Sequence, residues 1–157
     1  MIGSMKRVEI RLNLEAVAPL LDVIKSAADD LKPVLAQKQE VPDSEKDFAD
    51  GWTKELLHGQ NSDLAALLSL FGSEFFARGV IALDPTNAET VLRACSAVRL
   101  RLRERHLRTL GDDSLESGEV TLGNLDETER RAFAAYLFLA TLQELIIQHL
   151  DPTVMEG

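Results

Sequence analysis

The chain has 157 residues, 45% of them hydrophobic, 27% charged and 5% aromatic, with one cysteine and a formal net charge of −9 from 17 basic and 26 acidic side chains. A single core usually spans about 100 to 200 residues, so one globular domain is expected, and a disordered chain, a collagen-like repeat and a disulfide scaffold are excluded. The acidic balance repels nucleic acid and anionic lipid. The longest charge-free stretch near the C-terminus, Ala132 to Gln143, has twelve residues against the roughly 18 to 20 of a bilayer span.

The opening MIGSMKRVEI carries no apolar run of signal-peptide length, so a cytoplasmic location is expected. Val8, Ile10, Leu12 and Leu14 then alternate with polar neighbours, the period of a half-buried strand over about 7–14. From Val17 the spacing becomes three or four. Val17, Leu20, Leu21, Ile24, Ala28, Leu31 and Leu35 make one stripe of a helix over about 16–38, with Pro19 in its first turn and Pro33 kinking or breaking it.

QKQEVPDSE reads as a linker in which Asp43 or Ser44 caps the next helix, about 43–58, with Phe48, Trp52 and Leu56 at intervals of four. HGQNSD suggests an end at Gly59 and a new cap at Asn61 or Ser62 for a helix over about 62–78. Thr86 and Glu89 have capping-box spacing at the start of a helix over about 87–110. In the acidic stretch that follows, Glu119 to Leu122 alternates, so a short strand over about 118–123 is expected to pair with the N-terminal strand. Asp126 and Glu129 repeat the capping-box pattern before a mostly apolar helix over about 126–150, expected to be the most buried, with Phe133, Leu137, Leu142, Leu145 and Ile146 in the core.

The charge is segregated. Arg93 to Arg108 holds six arginines and one glutamate, and Asp112 to Glu129 holds seven carboxylates and no base. At about 100° per residue, Arg99 and Arg103 share one direction while Arg101, Arg105 and Arg108 lie roughly opposite. A nucleic-acid helix would add stacking aromatics and further lysines, which are lacking here. Arg101, Arg105 and Arg108 are instead a candidate basic surface for a partner, or pair with the protein's own acids. Arg99 and Glu144 each interrupt an apolar stretch, and a charge between packed helices needs a counterpart, so the two are expected to meet.

Catalytic motifs are lacking. Glu55 and His58 form one E-x-x-H, but a di-iron bundle needs a second copy, and three scattered histidines with one cysteine give no zinc spacing. Cys95 lies on the stripe Val91, Leu92, Cys95, Val98 and Leu102, where a cysteine behaves as a small hydrophobe. No G-x-S-x-G, phosphate loop or G-x-G-x-x-G occurs. No catalytic, cofactor-binding or metal-ligating residue is assigned.

VEIRLNLEA leading into a leucine helix, the AVRLRLRERHL segment and the terminal AYLFLATLQELIIQHL resemble an uncharacterised, mainly helical bacterial family of unknown function. In actinobacteria its genes tend to sit beside that of the Clp protease adaptor. The resemblance covers most of the chain and implies regulation, linked to proteolysis. The sequence thus points to a mainly α single domain, 1–157, built as a bundle of about five helices with a minor two-stranded β ribbon. The expected function is non-catalytic protein interaction or regulation, with a protein partner or a second copy and without nucleic acid, membrane or cofactor. The alternative is an enzyme or small-ligand binder with a pocket between helices.

Overall fold

The computed structural model describes residues 7–36, 46–108, 110 and 125–150. In chain order they form β1 (Val8–Arg11), α1 (Leu14–Leu31), α2 (Lys46–Ser69), α3 (Ser73–Arg78), β2 (Val80–Leu83), α4 (Ala88–His106) and α5 (Glu127–Leu150). The protein is mainly α with a two-stranded antiparallel ribbon. α4 is the hub, packed against α5, α2 and α1, and α1 also packs on α5.

The N-terminal strand forms, and its partner among the described residues is a strand that the sequence did not suggest. β1 pairs with β2 in the register Val8↔Leu83, Ile10↔Ile81 and Arg11↔Val80. The segment 118–123 lies outside the described residues. β2 has Val80, Ile81 and Leu83 all buried, so it shows no alternation, and four apolar residues between Gly79 and Pro85 resemble the tail of a helix. Gly79 makes the junction. It ends α3 with φ 68°, and its carbonyl accepts the Leu12 N–H at 2.7 Å, extending the ribbon by one bond.

α1 starts at Leu14, capped by Asn13, whose Oδ1 accepts the Ala16 N–H at 3.1 Å. This earlier start moves Pro19 into the second turn, where its missing N–H removes the bond to the Glu15 carbonyl. The helix stops at Leu31, two residues before Pro33, rather than continuing to 38.

The two helices expected over 43–58 and 62–78 are instead one helix, α2, through Gly59, followed by the short α3. The only described residue with positive φ is Gly79, so Gly59 terminates nothing. The side chains that looked like caps reach sideways. Gln60 Nε2 donates to the Leu31 carbonyl at 3.0 Å and to the Val34 carbonyl at 2.8 Å, and its Oε1 accepts the Ala36 N–H at 2.9 Å. Asn61 Nδ2 donates to the Lys32 carbonyl at 3.1 Å. These bonds reach carbonyls at and just beyond the end of α1, so polar residues inside α2 tie down the chain leaving its neighbour. The expected caps Asp43 and Ser44 lie outside the described residues.

Ahead of α4, the expected Thr86/Glu89 box is replaced by a turn built on Asp84. Its Oδ1 accepts the N–H groups of Thr86 at 2.8 Å and Asn87 at 3.1 Å and also the Thr86 hydroxyl, while Asn87 Oδ1 accepts the Asp84 N–H at 2.9 Å. The bond from the Thr86 hydroxyl, with the two backbone donors, holds the Asp84 carboxyl below its ordinary range. α5 begins on the box foreseen: Asp126 N–H donates to Glu129 Oε1 at 3.1 Å, and Glu129 N–H donates to Asp126 Oδ1 at 2.7 Å.

The core joins Ile24 and Leu31 of α1, Leu67 of α2, Phe75 of α3, Ile81 and Leu83 of β2, Val98 and Leu102 of α4, and Leu139, Leu142 and Ile146 of α5. Of the five core residues expected on α5, Phe133, Leu142 and Ile146 are buried, whereas Leu137 and Leu145 are half-buried. No helix among the described residues is long and apolar enough to cross a membrane.

Candidate functional site

α4 organises the chemistry because its arginines point in several directions from a buried apolar stripe. The stripe holds Val91, Cys95, Val98 and Leu102. Burial pushes the Cys95 thiol up to about 12, only partly opposed by the nearby Arg99 charge, so the thiolate needed for nucleophilic chemistry is disfavoured. Glu55 and His58 are both exposed on α2. No group of three or more His, Cys, Asp or Glu among the described residues is arranged to hold a metal.

On the α5 side the expected Arg99–Glu144 pair is replaced by a network one residue away. Arg99 Nη1 donates to Gln143 Oε1, Arg99 Nη2 donates to the Tyr136 hydroxyl at 3.1 Å, and the guanidinium lies 4.5 Å from the Tyr136 ring centroid. Gln143 Nε2 donates onward to the Leu92 carbonyl at 3.0 Å and to Ser96 Oγ at 2.8 Å. One residue along a helix turns the side chain by about 100°. Glu144 therefore faces solvent, where it accepts a bond from Gln148 Nε2 at 3.2 Å. Gln143 and Tyr136 escaped the sequence reading because a neutral amide and a lone tyrosine in an apolar run carry no charge signal.

The arginines on the other side divide. Arg105 Nη2 and Arg101 Nε approach the same oxygen, Asp30 Oδ2 of α1, at 3.4 and 3.7 Å. Arg108 turns back onto its own helix, its Nε donating to the Glu104 carbonyl at 2.8 Å, so it does not join them. Arg101 and Arg105 line an open cleft of about 310 Å³ between α1, α4 and α5, together with Asp22, Ser26, Asp30, His106, Thr128 and Arg131. Val23, Ala27 and Leu102 supply its apolar lining.

A second concavity runs between α2 and α4. It has a volume of about 360 Å³ and is lined by Leu35, Ala36, Leu56, Gln60, Arg93, Ala97 and Leu100. Arg93 closes one end through a two-pronged bond to Asp63 of α2, Nε to Oδ2 at 3.0 Å and Nη2 to Oδ1 at 3.1 Å, which raises the Arg93 pKa. Leu100 is 41% exposed and Trp52, one turn before Leu56 on the same face of α2, is 49% exposed.

The fold and these surfaces define a mainly helical protein with an open cleft on either side of one arginine-rich helix. A family model described as a domain of unknown function, DUF2017, matches residues 26–150, and the chain belongs to that family. No curated protein and no solved structure matches the chain.

Proposed function

We infer that the chain is a non-catalytic protein-interaction or regulatory protein, and that its protein partner docks an apolar helix in the groove between α2 and α4. The observation that carries this reading is exposed Leu100 lining the groove with half-buried Leu56, Leu35 and Ala97, and exposed Trp52 one turn before Leu56 on α2. A catalytic reading asks for a closed cavity with converging polar groups and carboxylates perturbed by burial. The carboxylates that do shift, Asp29 and Asp84, are both lowered, by bonds to Lys32 and to Thr86 respectively, and neither lines the two clefts. A cytoplasmic location and a link to regulated proteolysis are narrower forms of the same reading.

Affinity capture from the native host tests it, using the unaltered protein, Leu100→Glu, and Phe76→Ser as a control, since Phe76 is 55% exposed on α3 away from the groove residues. The expected result is a protein held by the unaltered chain and the Phe76 control and lost with Leu100→Glu. Equal capture by all three overturns the groove as the docking site. Sedimentation of the same variants identifies a second copy as the partner if Leu100→Glu alone shifts the protein to monomer.

A further inference from the structure

We propose that the cleft between α1, α4 and α5 binds a small oxyanion, a phosphate or carboxylate group, on Arg101 and Arg105, with any organic body of the ligand lying on Val23, Ala27 and Leu102. The cleft is on the opposite side of α4 from the docking groove, and this inference does not rest on that one.

Two ion pairs on the same helix make the comparison. Arg93 and Asp63 close two bonds at 3.0 and 3.1 Å, a fully engaged fork. Asp30 is shared between two guanidiniums through one oxygen, at 3.4 and 3.7 Å, beyond the roughly 2.7–2.9 Å of a charge-assisted bond. Arg101 has only 21% of its side chain exposed, and its Nε is buried without a hydrogen-bond partner among the described residues. Arg101 Nη1 also lies 3.9 Å from Glu104 Oε2, and the two arginines still carry more donors than Asp30 and Glu104 take up. They converge on a point where an oxygen with negative charge already sits.

The surroundings fit the same ligand. Arg131 adds a third guanidinium from α5, pairing at 2.9 Å with Glu127 on the exposed side of its own helix. Ser26 and Thr128 add hydroxyl donors, and Thr128 stands in the first turn of α5, where the helix end favours negative charge. Three arginines share the lining with Asp22 and Asp30, and two of them also reach flanking acids, Arg101 to Glu104 and Arg131 to Glu127. Its volume of about 310 Å³ is at the lower end of small-molecule sites, which run from about 300 to 1,000 Å³.

The test is titration of the full chain with inorganic phosphate and, separately, with acetate, against chloride at matched ionic strength, following the arginine Nε–Hε NMR signals. A saturable shift confined to the Arg101 and Arg105 signals with phosphate or acetate is expected, and the anion that saturates first identifies the ligand group. Arg105→Gln, at the more exposed of the two positions, should weaken binding about tenfold, equivalent to about 1.4 kcal/mol. Asp30→Asn removes the carboxylate that competes for both arginines and should tighten binding severalfold, a gain that a purely structural ion pair would not produce. Shifts that fail to saturate, that spread equally over all exposed arginines, or that persist unchanged in Arg105→Gln overturn the proposal.

Discussion

Arg99 and Gln143 are joined across the packed faces of α4 and α5 at 2.6 Å, so a charged side chain between two helices is held by a neutral amide rather than by a carboxylate. The amide can do this because it has both kinds of group. Its oxygen accepts a hydrogen bond from the guanidinium while its nitrogen donates to the Leu92 carbonyl and Ser96 Oγ, leaving neither end idle.

Replacing Gln143 by leucine therefore leaves Arg99 only its Tyr136 contacts and should lower stability by about 1.5 to 3 kcal/mol, the range for a hydrogen bond to a charged group. Glu144→Leu should change stability by no more than about 0.5 kcal/mol, as for an ordinary surface position. Urea denaturation of Arg99→Met, Gln143→Leu and the double variant should show non-additivity, whereas Arg99→Met with Glu144→Leu should be additive.

Leu142 is 1% exposed at the centre of α5, and Leu142→Ala should cost about 2 to 5 kcal/mol through lost burial and the cavity left behind. Leu145→Ala, at a half-buried position three residues on, should cost less. Denaturation midpoints of the two variants that coincide would place both side chains in equivalent surroundings, against the structure.

Cys95 gives a pH dependence whose sign follows from its burial. Its pKa rises from 9.0 to about 12 on folding, so the folded state holds the thiol proton more tightly. The contribution is complete below pH 9.0 and falls as pH rises toward about 12, by about 1.4 kcal/mol per pH unit. The stability difference between the native chain and Cys95→Ala, measured by denaturation at a series of pH values, should stay level below that window and decline within it. A thiol reagent at neutral pH should modify Cys95 only as fast as the α4–α5 packing opens.

Gly79→Ala should destabilise by about 1 to 3 kcal/mol, the cost of holding a side chain in a sparsely populated backbone region. Two effects add: φ is 68°, and a Cβ would lie 2.8 Å from the Leu12 carbonyl oxygen. Gly59→Ala, in a right-handed helix with nothing within 4 Å, should instead be neutral or stabilising. Thermal melts of the two variants should move in opposite directions or leave Gly59→Ala unmoved.

Much of the helical architecture was legible because its signals are local. The α1 stripe from Val17 to Leu31, the Cys95 stripe of α4 and the Asp126/Glu129 box each depend on residues a few positions apart. What escaped was the use of local signals across distance. Gln60 and Asn61 have the composition of a helix end, yet they serve the end of a different helix about 29 residues away. Val80 to Leu83 is buried without alternation, so the missing strand had no period to reveal it. The cleft was only half visible: Arg101 and Arg105 were identified on one face, but Asp30 was one acid among many on α1 until packing brought it between them.

The ribbon has one further consequence, which concerns where the family's shared segment begins. That segment covers 26–150, so it contains β2 and omits β1 and the first turns of α1. A chain shortened to the shared segment would keep every residue of β2 but lose the strand that occupies its hydrogen-bonding edge, along with the Leu12 N–H that meets Gly79. Val80, Ile81 and Leu83 would then border a bare edge able to recruit strands from other molecules. Trimming the stretch ahead of residue 26 should therefore raise the tendency to self-associate, which light scattering of the shortened and full chains would show.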